Sequence, residues 1–360
     1  MATDERVVTG SESELLARYA KAAHLSPRTE PFPRAGSLRE RLSANPFLMA
    51  PMAGVTDSAY RVMARAGGAA LAYTEMVSVA GIHYAGEKTW DLVLPGDAEP
   101  DIAVQLFGSR PEQFREASAQ VSERLGDRLA LIDVNMACPV PKVTRKGEGS
   151  ALLDDPALAA DIVRSVLAET DVPVTCKIRR GRRAGEEVAP EFARALEQAG
   201  VSAVAVHGRT AAQLYRGEAD WGVVSRVARA VDVPVIGSGD VRGPREAARM
   251  LEQTGAAAVM VARGSYGDPW AFRGARTLLG GGEWHTPGIA TRIHAFELHV
   301  RLLAATGAHL ARARSLAGGY LRGAPHASAW RDRAMHCVTL DDYVALAREA
   351  LALVEGDERA

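Results

Sequence analysis

The sequence predicts an α/β protein: a (β/α)8 barrel of the TIM type followed by a small C-terminal helical domain. Three observations predict it. Eight short apolar runs follow one another between Phe47 and Gly264. Helix-periodic stretches alternate with them. The series occupies roughly 230 residues, the size of one such barrel.

Residues 1–44 read as an N-terminal extension. Ser11-x-x-Glu14 followed by Leu15 and Leu16 is a capping box opening a short amphipathic helix. The stretch Ser26 to Pro33, with its prolines, reads as a linker. From residue 45 the barrel pattern begins. The runs are FLMAP (47–51), ALAYTEM (70–76), IAVQLFG (102–108), LALIDVNMA (129–137), VPVTCKIR (172–179), SAVAVHGR (202–209), VPVIGSGD (233–240) and AAVMVARG (257–264). They are continuous rather than alternating, as parallel strands covered on both faces require. Between them lie helical stretches such as PEQFREASAQVSERL and APEFARALEQAG, the second ending on Gly200 as its C-cap. A doubly wound sheet would want GxGxxG after its first strand, and APMAGVTD does not supply it. The barrel therefore spans 45–278. The glycine-rich stretch Leu279 to Gly282 marks its end, and 283–360 is helix-periodic and arginine-rich.

The composition is that of a globular chain: 47% hydrophobic and 24% charged over 360 residues, with net charge −1. Any nucleic-acid partner must then be met by a local basic patch, because the chain as a whole exerts no attraction. Cys138, Cys176 and Cys337 form no CxxC pair and no Cys/His metal spacing, so neither a metal site nor a disulfide framework is expected. The N-terminus has acids where a signal peptide needs bases, and no run of about 18 apolar residues occurs. A cytoplasmic protein with no membrane contact and no obligate protein partner is expected.

In this fold the active site lies at the C-terminal ends of the strands, and the unusual residues of the sequence fall there. Strand 1 ends in Pro51, Met52 and Ala53; strand 3 presents Gln105; strand 4 ends in Asn135 and Cys138. Strand 5 carries Lys177 and Arg179, and strand 6 ends in His207 and Arg209. Ser238-Gly239-Asp240 after strand 7 and Ala262-Arg263-Gly264 after strand 8 suit a phosphate, whose oxygens backbone N–H groups and an arginine can hold. A lysine in the barrel mouth needs an anionic partner. The edge of a reduced flavin is one, and the amide of Gln105 matches the same ring edge by donating and accepting at once. Cys176, inside a strand, and Cys337 read as inert apolar residues. Cys138 sits instead in a polar loop between Asn135 and Lys142, a setting that favours chemistry.

Further motifs stand in a definite order: APMAGVTDSAYR (50–61), TEM (74–76), VQLFG (104–108), DVNMACPVPKV (133–143), KGEGSALL (146–153), KIRRG (177–181), HGRTAAQLYRGEADW (207–221), GSGDV (237–241) and ARGSYGDPW (262–270). On these the chain resembles the bacterial flavin-dependent tRNA-dihydrouridine synthases, over about residues 46–275. The resemblance implies FMN as cofactor, NADPH (or NADH) as reductant and tRNA as partner. It places the flavin on Pro51, Met52, Ala53, Gln105, Lys177, His207, Ser238, Gly239, Asp240, Ala262 and Arg263. Asn135, Arg179 and Arg209 would lie near the uracil, and Cys138 matches the family's proton donor. Hydride addition at C6 leaves charge on C5 and O4, and a thiol with its ordinary pKa of roughly 8.5 is protonated at neutral pH and can quench C5. Lys142 and Lys146 beside that loop suit an open mouth accepting phosphates. In the family a C-terminal helix contacts tRNA. Arg314 to Tyr320 stands in its place, keeping the arginine and tyrosine but not the lysine, histidine and tryptophan usual there, with Arg312, Arg322, Arg331 and Arg333 either as phosphate contacts or as the solvated face of a helix. Two other readings are an FMN oxidoreductase of a free pyrimidine, like dihydroorotate dehydrogenases, and a non-catalytic flavin-dependent tRNA binder.

Overall fold

The computed structural model describes residues 10–84 and 86–357. Eight parallel strands run in chain order: β1 (Phe47–Met49), β2 (Tyr73–Ser78), β3 (Ile102–Phe107), β4 (Leu129–Met136), β5 (Val174–Arg179), β6 (Ala203–His207), β7 (Val235–Ser238) and β8 (Ala258–Val261). Each pairs with its neighbour, and β8 pairs with β1. The ring closes where the Met49 N–H donates to the Leu71 carbonyl at 3.0 Å and Met49 bridges Ala72. This is the (β/α)8 barrel, and its eight strands coincide with the eight apolar runs.

Side chains alternate across each strand, so two apolar layers form. The outer one packs strands on helices, for example Val104, Ile132, Val134 and Ile178 against Phe114, Ile162 and Phe192. The inner one holds Leu48, Leu71, Leu131, Ala205, Ile236 and Met260. Residues 10–44 are built into both ends of this architecture. The capping box at Ser11 forms as its spacing predicts and opens the helix Glu12–Tyr19, whose Leu15 and Leu16 share one buried cluster with Ile293 and Phe296. A second capping box, Ser37 with Glu40, opens the helix Leu38–Ala44. Its Leu38 and Leu42, with Phe32, join the inner layer and close the barrel at the N-terminal ends of the strands. The helices Ile289–Ala305, Arg312–Tyr320, Ala327–His336 and Leu340–Asp357 follow the barrel. They share a cluster with β1 and β8 through Phe47, Met49, Val259 and Val261.

Strand register assembles the polar residues. Gln105 stands opposite Asp133, and Asp133 opposite Thr175. Asn135 is level with Lys177, one step toward the mouth. Arg179 is level with His207, and His207 with Ser238. Residues two apart share a face, so Asp133 and Asn135, and Thr175, Lys177 and Arg179, project the same way. The apolar lower barrel thus gives way to a polar upper barrel.

Candidate active site

Above the buried Asp133 and Thr175, a cavity of about 770 Å³ opens at the C-terminal end of the barrel. Pro51, Met52, Ala53, Gln105, Lys177, His207, Ser238, Gly239, Asp240, Ala262 and Arg263 all line it, as do Asn135, Cys138, Arg179 and Arg209. Lys142 and Lys146 do not; they are exposed on the loop that follows Cys138. Met76 of the TEM motif and Tyr215 of the HGRT run line it too, as does Arg242, which no motif marked.

A hydrogen-bond chain runs from the barrel interior to Cys138. Asp133 is fully buried and accepts from the Thr175 hydroxyl and the Gln105 Nε2, each at 2.6 Å. The Gln105 Oε1 then accepts from the Asn135 Nδ2 at 2.8 Å. That leaves the Asn135 Oδ1 to accept the N–H groups of Ala137 at 3.2 Å and Cys138 at 2.9 Å. A carboxylate is only an acceptor, so Asp133 sets which way both amides face. Burial pushes the Asp133 carboxyl up to about 6. Its signal in the sequence was a lone acid inside an apolar strand, two residues from Asn135.

The loop carrying Cys138 is also held from behind. The Ser150 N–H donates to the Cys138 carbonyl at 3.0 Å. Gly149 has φ +62°, and a Cβ there would stand 2.8 Å from that carbonyl oxygen, so the KGEGS motif needs its second glycine. The thiol is half-buried, and burial raises its pKa above the ordinary cysteine value, with Arg179 and Lys177 opposing. At neutral pH it is a thiol, not a thiolate.

Cations dominate the rest of the cavity. Lys177 makes no hydrogen bond among the described residues, and burial, then Arg179, brings its ammonium down to about 8. Arg179 and Arg209 are largely engaged in holding loops. The Arg179 Nε donates to the Ala137 carbonyl at 2.8 Å and its Nη1 to the carbonyls of Thr210 and Leu214. Arg209 donates to the Arg216 and Gly217 carbonyls, and its Nη2 is shared between the two carboxylate oxygens of Asp240 at 2.8 and 2.7 Å. Its Nη1 is buried without a partner. Asp240 therefore faces Arg209 and the Ala219 N–H rather than standing free. His207 is held neutral by burial and by the surrounding cations, Lys177 first. Its Nδ1 accepts the Arg209 N–H at 3.2 Å, which leaves the proton on Nε2. The HGRT and ADW halves of their motif meet here. The Asp220 N–H donates to the Gly208 carbonyl at 3.1 Å, and the Trp221 indole donates to the Gly239 carbonyl at 2.9 Å.

The first loop is fixed by acids. The Gly54 N–H donates to Glu75 at 2.6 Å, and Asp57 caps the helix Ser58–Ala66 through the Tyr60 N–H. Arg312 is engaged here as well, donating to Asp57 at 2.8 Å and Glu75 at 3.1 Å, so it is not a free phosphate contact. Arg333 is paired with Glu349, while Arg322 and Arg331 stay exposed. The helix Arg312–Tyr320 buries Leu316, Ala317 and Tyr320, and Gly319 lies against the Tyr266 backbone, where a Cβ would come within 2.6 Å of its carbonyl oxygen.

A sequence model of the family described as dihydrouridine synthase (Dus) matches residues 48–354. The chain belongs to the dihydrouridine synthase family. It is 38% identical over 316 residues to tRNA-dihydrouridine synthase B of Pseudomonas aeruginosa, covering 86% of this chain and 93% of that one. It is 34% identical over 321 residues to a probable tRNA-dihydrouridine synthase of Treponema pallidum, covering 86% and 94%. A probable tRNA-dihydrouridine synthase 1 of Synechocystis is 38% identical over 291 residues. As a dihydrouridine synthase family member the protein is an enzyme. Among the described residues no cluster suits a metal, and no helix is long and apolar enough to cross a membrane.

Proposed function

We propose that this enzyme reduces the C5–C6 double bond of selected uridines in tRNA to 5,6-dihydrouridine, with FMN bound in the barrel mouth and NADPH (or NADH) as reductant. The observation that carries the reading is Cys138: a thiol kept protonated by burial, on the rim of a cation-lined cavity. The residues suit FMN. The cavity volume is that of a cofactor pocket. The Lys177 ammonium, in the cavity wall without a protein partner among the described residues, calls for an anion. Ser238, Gly239, Ala262 and Arg263 would hold the phosphate, and Gln105, Lys177 and the Nε2–H of His207 the polar edge of the ring. Pro51, Met52 and Ala53 would cover its face.

When bound, FMN supplies a hydride to C6 of the base. Cys138 delivers its proton to C5, and the thiolate regains one from solvent through the open mouth. Asn135 fixes the backbone from which the thiol projects. Arg179 and Arg209 shape the wall and add positive potential where negative charge develops on the base carbonyls. The base must leave the stack to enter, at a cost of a few kcal/mol. Lys142 and Lys146, exposed after Cys138, would meet the phosphates beside it, and the helices of 283–360 would carry the remaining RNA contacts. The domain reading follows: 45–278 catalytic, 283–360 RNA-binding, in the cytoplasm.

The test incubates the FMN-loaded enzyme with NADPH and unmodified tRNA, and measures dihydrouridine by mass spectrometry of the nucleosides. Product in tRNA, absent with Cys138→Ala although FMN binding and NADPH oxidation persist, is the expected result. Turnover of free uracil or orotate but not tRNA would overturn it in favour of a small-molecule oxidoreductase. Product formed normally by Cys138→Ala would remove the cysteine from its role.

A further inference from the structure

The loop Pro51–Asp57 lines the cavity through Pro51, Met52, Ala53 and Val55. It contains Gly54 at φ +76°, a conformation that other residues rarely hold. The turn is closed within itself by the Met52 carbonyl, which accepts the N–H groups of Val55 and Thr56 and the Thr56 hydroxyl. Two carboxylates tie it to its neighbours. Glu75, at the top of β2, takes the Gly54 N–H on one oxygen at 2.6 Å. Asp57 closes the loop by capping the next helix through the Tyr60 N–H at 2.9 Å. The side chains of both acids are largely buried, 10% and 14% exposed, and they lie close enough to share a single nitrogen. That nitrogen is the Nη1 of Arg312, which comes from the helical segment beyond the barrel.

We propose that Arg312 is a positioning residue for the cofactor site: by neutralising Asp57 and Glu75 together it lets the helical segment hold the Pro51–Asp57 loop in its cofactor-binding shape. The proposal rests on the reading of this mouth as the FMN site. Without the guanidinium, two largely buried carboxylates face each other with only Arg61, itself paired with Glu99, near Asp57, and the loop relieves the repulsion by shifting away. The helical segment then also braces the cavity wall from behind, without lining the cavity itself. By linkage, whatever loosens its seat on the barrel weakens cofactor retention, and the bound cofactor holds the seat closed.

The experiment compares Arg312→Met with Arg312→Met/Glu75→Gln in the full-length chain. Glutamine keeps an oxygen for the Gly54 N–H, loses the charge and turns an amide donor toward Asp57. FMN affinity is read by quenching of flavin fluorescence, and hydrogen exchange of the peptide carrying residues 52–57 is read in the cofactor-free protein. Arg312→Met is expected to weaken FMN binding, and to speed that exchange, by about tenfold or more, the usual effect of losing charge-assisted bonds to a buried group. The double variant is expected to recover most of both. Wild-type affinity in Arg312→Met, or a double variant as weak as the single one, overturns the proposal. If the wild-type chain does not take up FMN at all, the cofactor reading falls, and the exchange measurement still decides whether Arg312 holds the loop. A chain that fails to fold as Arg312→Met but folds as the double variant supports charge neutralisation; failure of both overturns it.

Discussion

Replacing Asn135 by alanine severs the chain that runs from Asp133 to Cys138. Three hydrogen bonds disappear: the donor to Gln105 and the two accepted from Ala137 and Cys138. Gln105, Ala137 and Cys138 all border the cavity, from which water can satisfy part of what is lost. Groups as buried as Gln105 and Ala137, 1% and 5% exposed, recover little of it, at a cost of about 1–3 kcal/mol. Adding about 1 kcal/mol for the lost bond to Cys138 gives a destabilisation of about 2–4 kcal/mol. A fold of ordinary stability, roughly 5–15 kcal/mol, survives that with a melting temperature lower by several degrees. The catalytic loss should be larger than the stability loss suggests. The loop of Cys138 keeps the Ser150 contact but loses its front anchor, and a displacement of order 1 Å at a reacting group costs about 10²-fold. The assay is single-turnover dihydrouridine formation with FMN-loaded enzyme, beside NADPH oxidation without RNA as the control for the other half of the cycle. Product formation should fall by about 10²-fold while NADPH oxidation holds. A variant with the expected loss of stability and full product formation would refute the argument that Asn135 places Cys138.

Because the Cys138 pKa is raised, the protonated form predominates at neutral pH and product formation should be flat there, declining only as the pH passes an apparent pKa above that of a free cysteine; a decline beginning on the acid side of neutrality would mean that the thiol is not the acid. Lys177→Met should lower FMN affinity by tenfold or more yet raise the melting temperature of the cofactor-free chain, since it removes a buried ammonium that has no hydrogen bond. The sign follows from linkage: a base held at about 8 in the fold and near 10.5 when unfolded disfavours folding at neutral pH, and that penalty recedes as the pH rises between the two values. The difference between Lys177→Met and the wild type in differential scanning fluorimetry should therefore shrink from pH 7 to pH 10, and a constant difference would refute the assignment of a desolvated charge.

The sequence by itself determined the barrel, because burial on both faces leaves eight continuous apolar runs and no other short-range pattern competes with it. It also determined where the polar residues would gather, since they fall at the strand ends and the strand period sends Asp133 and Asn135, or Lys177 and Arg179, to one side. Only the tertiary structure decided what those groups do. Arg209 and Asp240 read as two separate ligands of bound groups and turn out to be each other's partners. Arg312 read as a phosphate contact or part of a solvated face and is committed to Asp57 and Glu75, which stand 255 and 237 residues away in the chain. Residues 10–44 read as an extension, yet Leu38 and Leu42 close the barrel floor. The physical reason is common to all three. Periodicity reports which face of an element is buried, a local property, whereas a hydrogen bond or ion pair is made by whatever the fold brings within about 3 Å. Cys138 shows both sides: its position in the polar run NMACPVPK marked it out in the sequence, while its pKa was set by burial and by Lys177 and Arg179 on a different strand.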